Sequence, residues 1–350
     1  MKDGYIVGLG DYKGRQEFDL DGTFVIPGLI DAHVHIESSL LTPIEYARLV
    51  LARGTTTVVA DPHEVANVCG MAGIDYVLAE SRRTPLDILV MLPSCVPATP
   101  LDSGGAVLSA ADLAQFLGQE GVLGLAEVMN VPGVLDGDPD LVEKMRLFDV
   151  VDGHAPLLSG ADLNAYIYAG IQSDHESTTY AEAREKLFRG MYVMIREGST
   201  ERNLRDLIGI VNACTAARCC FATDDRHADM LVREGHIDDC IRKAVACGLE
   251  VEQAIRMATL SAAERFGLRD RGAISPGRLA DFCIIDDLDE FHVLRTFKRG
   301  TEVADPGYIP PIPLKTPFRV RVPSQESIRI NGRGEARIIG IAPGQRITLD

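Results

Sequence analysis

IPGLIDAHVHIESSLLTP, running from Ile26 to Pro43, is the stretch around which the rest of the chain is read. A short apolar run ends there in Asp31-Ala32-His33-Val34-His35. In a β-strand successive side chains alternate between faces, so His33 and His35 are expected to point the same way. Two imidazoles on one face at a strand end can grip a single divalent metal ion. Two unrelated surface histidines in a turn would have the same spelling. The Pro-Gly and apolar run before them, and further ligand types downstream, favour the metal.

Outward from this stretch a grammar repeats: a β-branched apolar run, polar residues at its end, then a helical pattern. Strands are expected at Val25–His35, Thr55–Asp61, Asp87–Pro93, Val122–Val128, Val150–His154, Gly170–His175, Met191–Arg196 and Arg218–Thr223. Helical patterns such as PIEYARLVLAR, MAGIDYVLAES, SAADLAQFLGQ, TYAEAREKLFRG and ERNLRDLIGIVNACTA separate them. Eight such units over roughly 200 residues predict an α/β chain of the (β/α)8 TIM-barrel type, spanning residues 26–275. The rival is a doubly wound open sheet, in which the strand ends form a row and only the central ones share a crevice. Every candidate strand here carries polar chemistry at its C-terminal end, which suits convergence on one barrel mouth.

Three more helices are expected in GHIDDCIRKAVACG, VEQAIRMATL and SAAERFGL. The chain ends read as β-rich. DGYIVGLG and EFDLDGTFVI in residues 1–25 are strand-like, GAISPGRLADFCIIDDLDEFHVLRTFKRG reads as turn–strand–turn–strand, and FRVRV, SIRIN and ARIIGIA as short strands within 276–350. Together they predict a small, incomplete β-sandwich domain built from both ends, followed by the start of a truncated C-terminal region.

In 350 residues, 46% hydrophobic and 25% charged, the chain can bury a full core. No apolar run reaches the ~18 residues of a membrane span and no charged-then-apolar leader opens the chain, so no membrane partner and a cytoplasmic location are expected. A net charge of −16 argues against DNA or RNA as partner. The eight cysteines form no C-x-x-C pair and read as buried, reduced thiols, with Cys219 and Cys220 on opposite faces of one strand.

The strand ends carry, in order, His33 and His35; Asp61-Pro62-His63-Glu64; Ser94 and Cys95; Glu127; His154; Asp174-His175-Glu176; Arg196-Glu197; and Asp224-Asp225-Arg226. Five of the eight histidines fall at these ends. His33, His35, Glu127, His154, His175 and Asp224 can hold two divalent ions with a carboxylate between them. Such ions bring bound water from a pKa of about 15.7 to near neutrality. The mixed imidazole and carboxylate set suits Mn2+, Fe2+ or Zn2+. Glu127 lies in the apolar run GVLGLAEVMN, where an unpaired charge would be costly. Asp224-Asp225 could also cap a helix.

The motifs HVHIESS, DPHEVANV, PSCVPAT, GLAEVMN, GHAP, SDHE, REGS and TDDRH, in this order, resemble the adenine deaminase family of the amidohydrolase superfamily. That resemblance implies hydrolysis of adenine to hypoxanthine and ammonia by a metal-activated hydroxide, in purine salvage. It implies His33, His35 and Asp224 on one ion, His154 and His175 on the other, and Glu127 between them, with Mn2+ or Fe2+ ahead of Zn2+. Asp224 would move the proton of the attacking water toward the departing amine. Glu37, Glu64 and Glu176 are candidates to protonate the ring at N1. Asp225 resembles the second aspartate of a TDD motif that contacts the purine N7. Asp61, His63, Ser94 and Arg196 complete the expected substrate pocket. A homodimer is a further expectation.

Alternatives are another deaminase or a cyclic-amide hydrolase of the same superfamily, or a non-catalytic scaffold, which should have lost ligands. The unrelated zinc nucleobase deaminases require P-C-x-x-C, which is absent here. Family members usually carry more β-strands before the equivalent of Asp3 and more chain after that of Asp350. The chain is therefore expected to be trimmed at both ends, with lower stability or altered oligomerisation.

Overall fold

The computed structural model describes residues 1–350 except 100, 316, 318, 320, 330, 331, 333–339, 342–347 and 350. Its strands are, in chain order, β1 (Phe24–Pro27), β2 (Leu29–Val34), β3 (Thr55–Ala60), β4 (Asp87–Leu92), β5 (Val122–Val128), β6 (Val151–Gly153), β7 (Ser173–Asp174), β8 (Tyr192–Arg196), β9 (Cys219–Ala222), β10 (Phe282–Ile285), β11 (Val293–Lys298) and β12 (Thr301–Glu302).

The single strand expected over Val25–His35 is in fact two, and Gly28 is the divide. β1 runs antiparallel to β10, whereas β2 enters a parallel sheet with β3. Gly28 donates its N–H to the Asp281 carbonyl at 3.0 Å, and a Cβ at this position would collide with the Thr56 side chain. Only glycine lets the two sheets approach this closely.

β2 to β6 form one parallel sheet in sequence order, and β7 to β9 a second. The sheets meet at both edges. On one side Asp224 N–H donates to His33 O at 2.9 Å and His35 N–H to Asp224 O at 3.1 Å. On the other, Gln172 N–H reaches Val151 O at 3.4 Å and the Ser173 hydroxyl donates to Asp152 at 2.7 Å. Eight parallel strands therefore ring one interior, in place of the open-sheet alternative.

Ala32, Val59, Met91, Ala126, Met194 and Ala222 meet inside the ring, and Ala262, Ala263 and Phe266 close it from below. A second apolar layer, with Val58, Val90 and Leu125 on the strands and Ile74 and Leu78 on a helix, packs outside it. Full burial of each such side chain stabilises by roughly 1.5–3 kcal/mol, which keeps the strand ends in place. The helices start as their sequences dictate: Thr42 caps Pro43–Leu51, accepting from Glu45 N–H at 3.4 Å, with Pro43 in the first turn. The three expected late helices are Ile237–Ala246, Val251–Met257 and Leu260–Arg265.

ERNLRDLIGIVNACTA is not one helix. It holds only Leu204–Leu207, a 3-10 turn at Ile208–Ile210 and a loop. Asn212 Oδ1 accepts from the N–H groups of Cys214 and Thr215, a local turn that replaces helical bonds.

The chain ends supply one antiparallel sheet of order β1-β10-β11-β12, and the strand expected in DGYIVGLG is reduced to an isolated bridge of Tyr5 with Leu279 outside that sheet. A second layer facing it, which a sandwich needs, is not found among the described residues. The described residues of FRVRV and SIRIN form no strand, with Ser327 and Ile328 lying in a turn, and the rest of both, like most of ARIIGIA, lies outside the described residues; within ARIIGIA, Gly340–Ile341 pairs with Thr348–Leu349.

All eight cysteines are free. Cys219 packs into the outer apolar layer and Cys220 into the barrel interior, on opposite faces of β9. The expectation of burial fails for Cys214, in the Asn212 turn, and Cys247, at a helix end, which are exposed. No helix among the described residues is long and apolar enough to cross a membrane.

Candidate metal centre

The strand ladders break where the candidate ligands stand. The register of β2 on β3 slips between Asp31 and Val34, and that of β5 on β6 between Leu125 and Val128. Ala32 and Ala126 point into the barrel interior. Strict alternation would then send His33 and Glu127 outward, but the slips turn both toward the barrel mouth, as bulges beside functional sites do. Asp224 follows β9 with φ 53, the left-handed region that an ordinary side chain rarely occupies.

The side chains so aimed share one small space. His33 Nε2 lies 3.1 Å from His35 Nε2. Asp224 Oδ1 and Glu127 Oε1 stand 3.3 and 3.4 Å from the same His35 nitrogen. The second carboxylate oxygen of Glu127 reaches His154 Nδ1 at 2.5 Å and His175 Nε2 at 3.1 Å. His33, Glu127, His175 and Asp224 are all at most 4% exposed.

These groups fit a cation by the chemistry of their donors. His35 Nδ1 faces the Asp61 carbonyl at 3.0 Å, a pure acceptor, so Nδ1 carries the hydrogen and Nε2 of the neutral ring is a bare lone pair. That lone pair looks at another imidazole and two carboxylate oxygens. Acceptors gathered around one point need a positive charge between them. Asp61 Oδ1, buried and without a hydrogen-bond partner, adds a further acceptor. Without a cation, protons take its place. Burial disfavours a charged His35, but Glu64, Asp224 and Glu127 outweigh it and hold the ring well above the usual histidine range. Burial likewise opposes a proton on His175, yet Glu127 carries it up to about 9. His33 is pushed well down by burial and by the positive rings of His175 and His35.

The other expected site residues surround this space. His63 Nδ1 meets Asp61 Oδ2 at 3.0 Å; burial opposes its charge, but Asp61 raises the ring to about 10. Glu64 lies 3.5 Å from His35 Nδ1 and 3.4 Å from His63 Nε2. Glu37, on the 3-10 turn after β2, accepts from Val65 N–H at 3.2 Å, and burial with the nearby Glu64 raises its carboxyl to about 7. Asp225 accepts from the Ser38 hydroxyl. Ser94 sits behind Glu127, donating to its carbonyl at 2.5 Å. Arg196 is wholly buried; its Nη1 bonds both Glu176 and, at 2.6 Å, Asp224 Oδ2. The guanidinium therefore faces two carboxylates of the site.

Lys186 has no expectation attached to it in the sequence, where YAEAREKLF is only part of a helical pattern. It is wholly buried, donating to Ala155 O at 2.6 Å, Asp174 at 2.9 Å and Ser177 at 3.1 Å. It thus ties together the loops that present His154 and His175. Tyr166 supports the same region, donating to Val128 O at 2.7 Å and accepting from His154 N–H at 2.9 Å.

Residues 24–303 match the amidohydrolase family. Over 350 residues the chain is 75% identical to an adenine deaminase of Methanoculleus marisnigri, covering all of this chain and 68% of that protein. It is 60% identical over 352 residues to an adenine deaminase of Methanoregula boonei, covering 99% of this chain and 63% of the relative. The chain thus spans about two thirds of the length of these relatives. Among solved structures, the crystal structure of an adenine deaminase superposes with a TM-score of 0.61 at 15% identity, over 87% of this chain and 94% of that one, a likeness of fold.

Proposed function

The chain belongs to the amidohydrolase family, among the adenine deaminases, and on that premise we propose that it hydrolyses adenine to hypoxanthine and ammonia. The observation that carries the proposal is the convergence of His33, His35, Glu127, His154, His175 and Asp224 on one mouth. Enzymes of this family use a divalent metal. Here His33, His35 and Asp224 would hold one ion, His154 and His175 a second, and Glu127 would touch both, with Mn2+ or Fe2+ the preferred occupants. When bound, such ions ionise water near neutral pH and polarise the bond under attack.

The chain's own residues do the rest. Asp224 accepts the proton of the attacking water and passes it to the departing amine, which must leave as ammonia. Arg196 donates to Asp224 Oδ2, the oxygen not turned toward His35, and so fixes the orientation of that carboxylate. As C6 becomes tetrahedral the ring must gain a proton at N1. Of the three carboxyls considered, Glu176 is committed to Arg196, and Glu64, though burial opposes it, is held below its ordinary value by His35 and His63. Glu37, raised to about 7 by burial and the nearby Glu64, keeps its proton closest to neutrality and is therefore the assigned donor, with Asp225 the group set against N7. Residues 26–275 form the catalytic unit in this reading, and the chain ends a small β domain beside it.

Ammonia release is measured with metal-loaded protein and adenine, adenosine, cytosine or guanine in turn, and ring opening of dihydroorotate, which frees no ammonia, by its loss of ultraviolet absorbance. Turnover of adenine above the others is expected. No ammonia from adenine, or faster hydrolysis of dihydroorotate, overturns the proposal.

A further inference from the structure

On the side of β2 turned away from the metal centre lies a polar cluster that no step above uses. Asp31, Tyr46, Thr55, Thr223 and His236 are all fully buried. A carboxylate in such a place is costly unless donors surround it. Asp31 has four: His33 N–H at 3.2 Å, Thr223 N–H at 3.1 Å, the Thr223 hydroxyl, and His236 Nε2 at 2.9 Å. His236 is itself held, with Nδ1 2.8 Å from Thr55 Oγ1 and Nε2 2.9 Å from the Tyr46 hydroxyl.

The location of these bonds gives the cluster its meaning. β2 and β9 form the seam that closes the barrel, and only Val34 and Asp224 are in ladder register across it. Asp31 bonds one backbone on each side of that seam, at His33 and at Thr223. Both are one step from, or are themselves, proposed ligands of the same ion. Asp224 also holds φ 53, a strained conformation for a non-glycine residue that persists only where its surroundings over-determine it. Thr223, directly before it, is held at two atoms by Asp31.

We propose that Asp31 and His236 are a positioning pair for the ion shared by His33, His35 and Asp224. They clip the first and last barrel strands together, so that Asp224 keeps its left-handed backbone and meets His33 at one point. Neither residue touches substrate. The inference rests on the ligand assignment above, and its test separates the two.

Metal-free protein is titrated with Mn(II) or Co(II) alone, following stoichiometry, affinity, and the absorption or EPR signature of each site. Asp31→Asn keeps size and removes the charge. It is expected to fold, to fill the His154 and His175 site as before, and to bind the other ion ~10–100-fold more weakly, as loss of groups orienting ligands does. With adenine, kcat falls while KM holds. His236→Gln shifts the same site by less. If Asp31→Asn fills both sites with unchanged affinity and only its melting temperature drops, the pair is merely structural and the inference fails. Should Asp31→Asn not fold, Thr223→Val decides, since it keeps the backbone donor and loses the hydroxyl. Selective weakening of the same site supports the inference, and unchanged affinities overturn it. If the unsubstituted protein binds no ions, or His33→Ala binds as tightly as the original, the ligand assignment fails and takes the inference with it.

Discussion

The two ends of the barrel handle buried charge in opposite ways. At the mouth, imidazoles and carboxylates crowd together with lone pairs facing one another, as His35 does with His33, Glu127 and Asp224. At the closed end each charge meets its opposite. Arg265 reaches Asp152 at 2.6 Å, Arg271 reaches Asp87 at 2.7 Å, and Lys298 reaches Asp281 at 2.6 Å. The lower pairs find their opposite charges within the chain and serve the fold, even though Asp152 Oδ2 and Arg265 Nε keep no hydrogen-bond partner. The upper set is complete only with a cation, so its groups are arranged for something that binds.

The contrast can be broken most sharply at the mouth. His33→Ala or His35→Ala should remove the ion shared with Asp224 and lower turnover by on the order of 10³-fold or more, the loss of several kcal/mol of metal stabilisation. Circular dichroism should show an intact barrel. Near-normal ammonia release from either variant would end the metal-centre reading.

The reverse is expected below. Arg265→Leu leaves Asp152 buried without its partner and should cost about 3–5 kcal/mol of folding stability. Activity per folded molecule should hardly change. A variant that unfolds normally in urea but turns over slowly would erase the division between the two ends.

Proton release sharpens the same contrast. His35 and His175 are raised, the latter to about 9, so at neutral pH the metal-free mouth holds protons that an entering cation must displace. Adding Mn(II) to metal-free protein in weak buffer should acidify the solution, and apparent affinity should rise with pH up to about 9. Binding without proton release would mean that the ion goes elsewhere.

The smallest effect concerns acid stability. Burial would raise the Asp87 carboxyl, but Lys298 and Arg271 outweigh it and hold it below its ordinary value. Its pairing therefore stabilises the fold above the usual carboxylate range and is lost as pH falls through the lowered folded value. Lys298→Met removes one partner, raises that value, and should move the acid unfolding midpoint to slightly higher pH. An unchanged midpoint would count Lys298 out of the closed end's pairing.

Much of the fold is legible because it depends on short-range pattern. Thr55–Ala60 and Val122–Val128 are strands where β-branched runs with a polar end say they should be. The break at Gly28 is not visible locally, since the reason for it is Thr56 from another strand. The helix expected over 201–216 fails because Asn212 offers its backbone neighbours a competing turn. The ligand types at the strand ends are legible too. That Arg196 faces Glu176 and Asp224, and that Lys186 lies buried beneath two ligand loops, depends on contacts that its own helix or strand does not announce.

From the sequence alone follow the eightfold β/α period and the spelling HVH, GLAEV, GHAP, SDHE and TDD at the strand ends, since side-chain alternation and element length are local properties. Only the tertiary structure decides which lone pairs share a point. The ladder slips at β2 and β5 re-aim His33 and Glu127, and Asp31 bonds Thr223, 192 positions away and directly before Asp224. Those outcomes depend on which backbones meet across the closed barrel, and no local run of residues encodes that meeting.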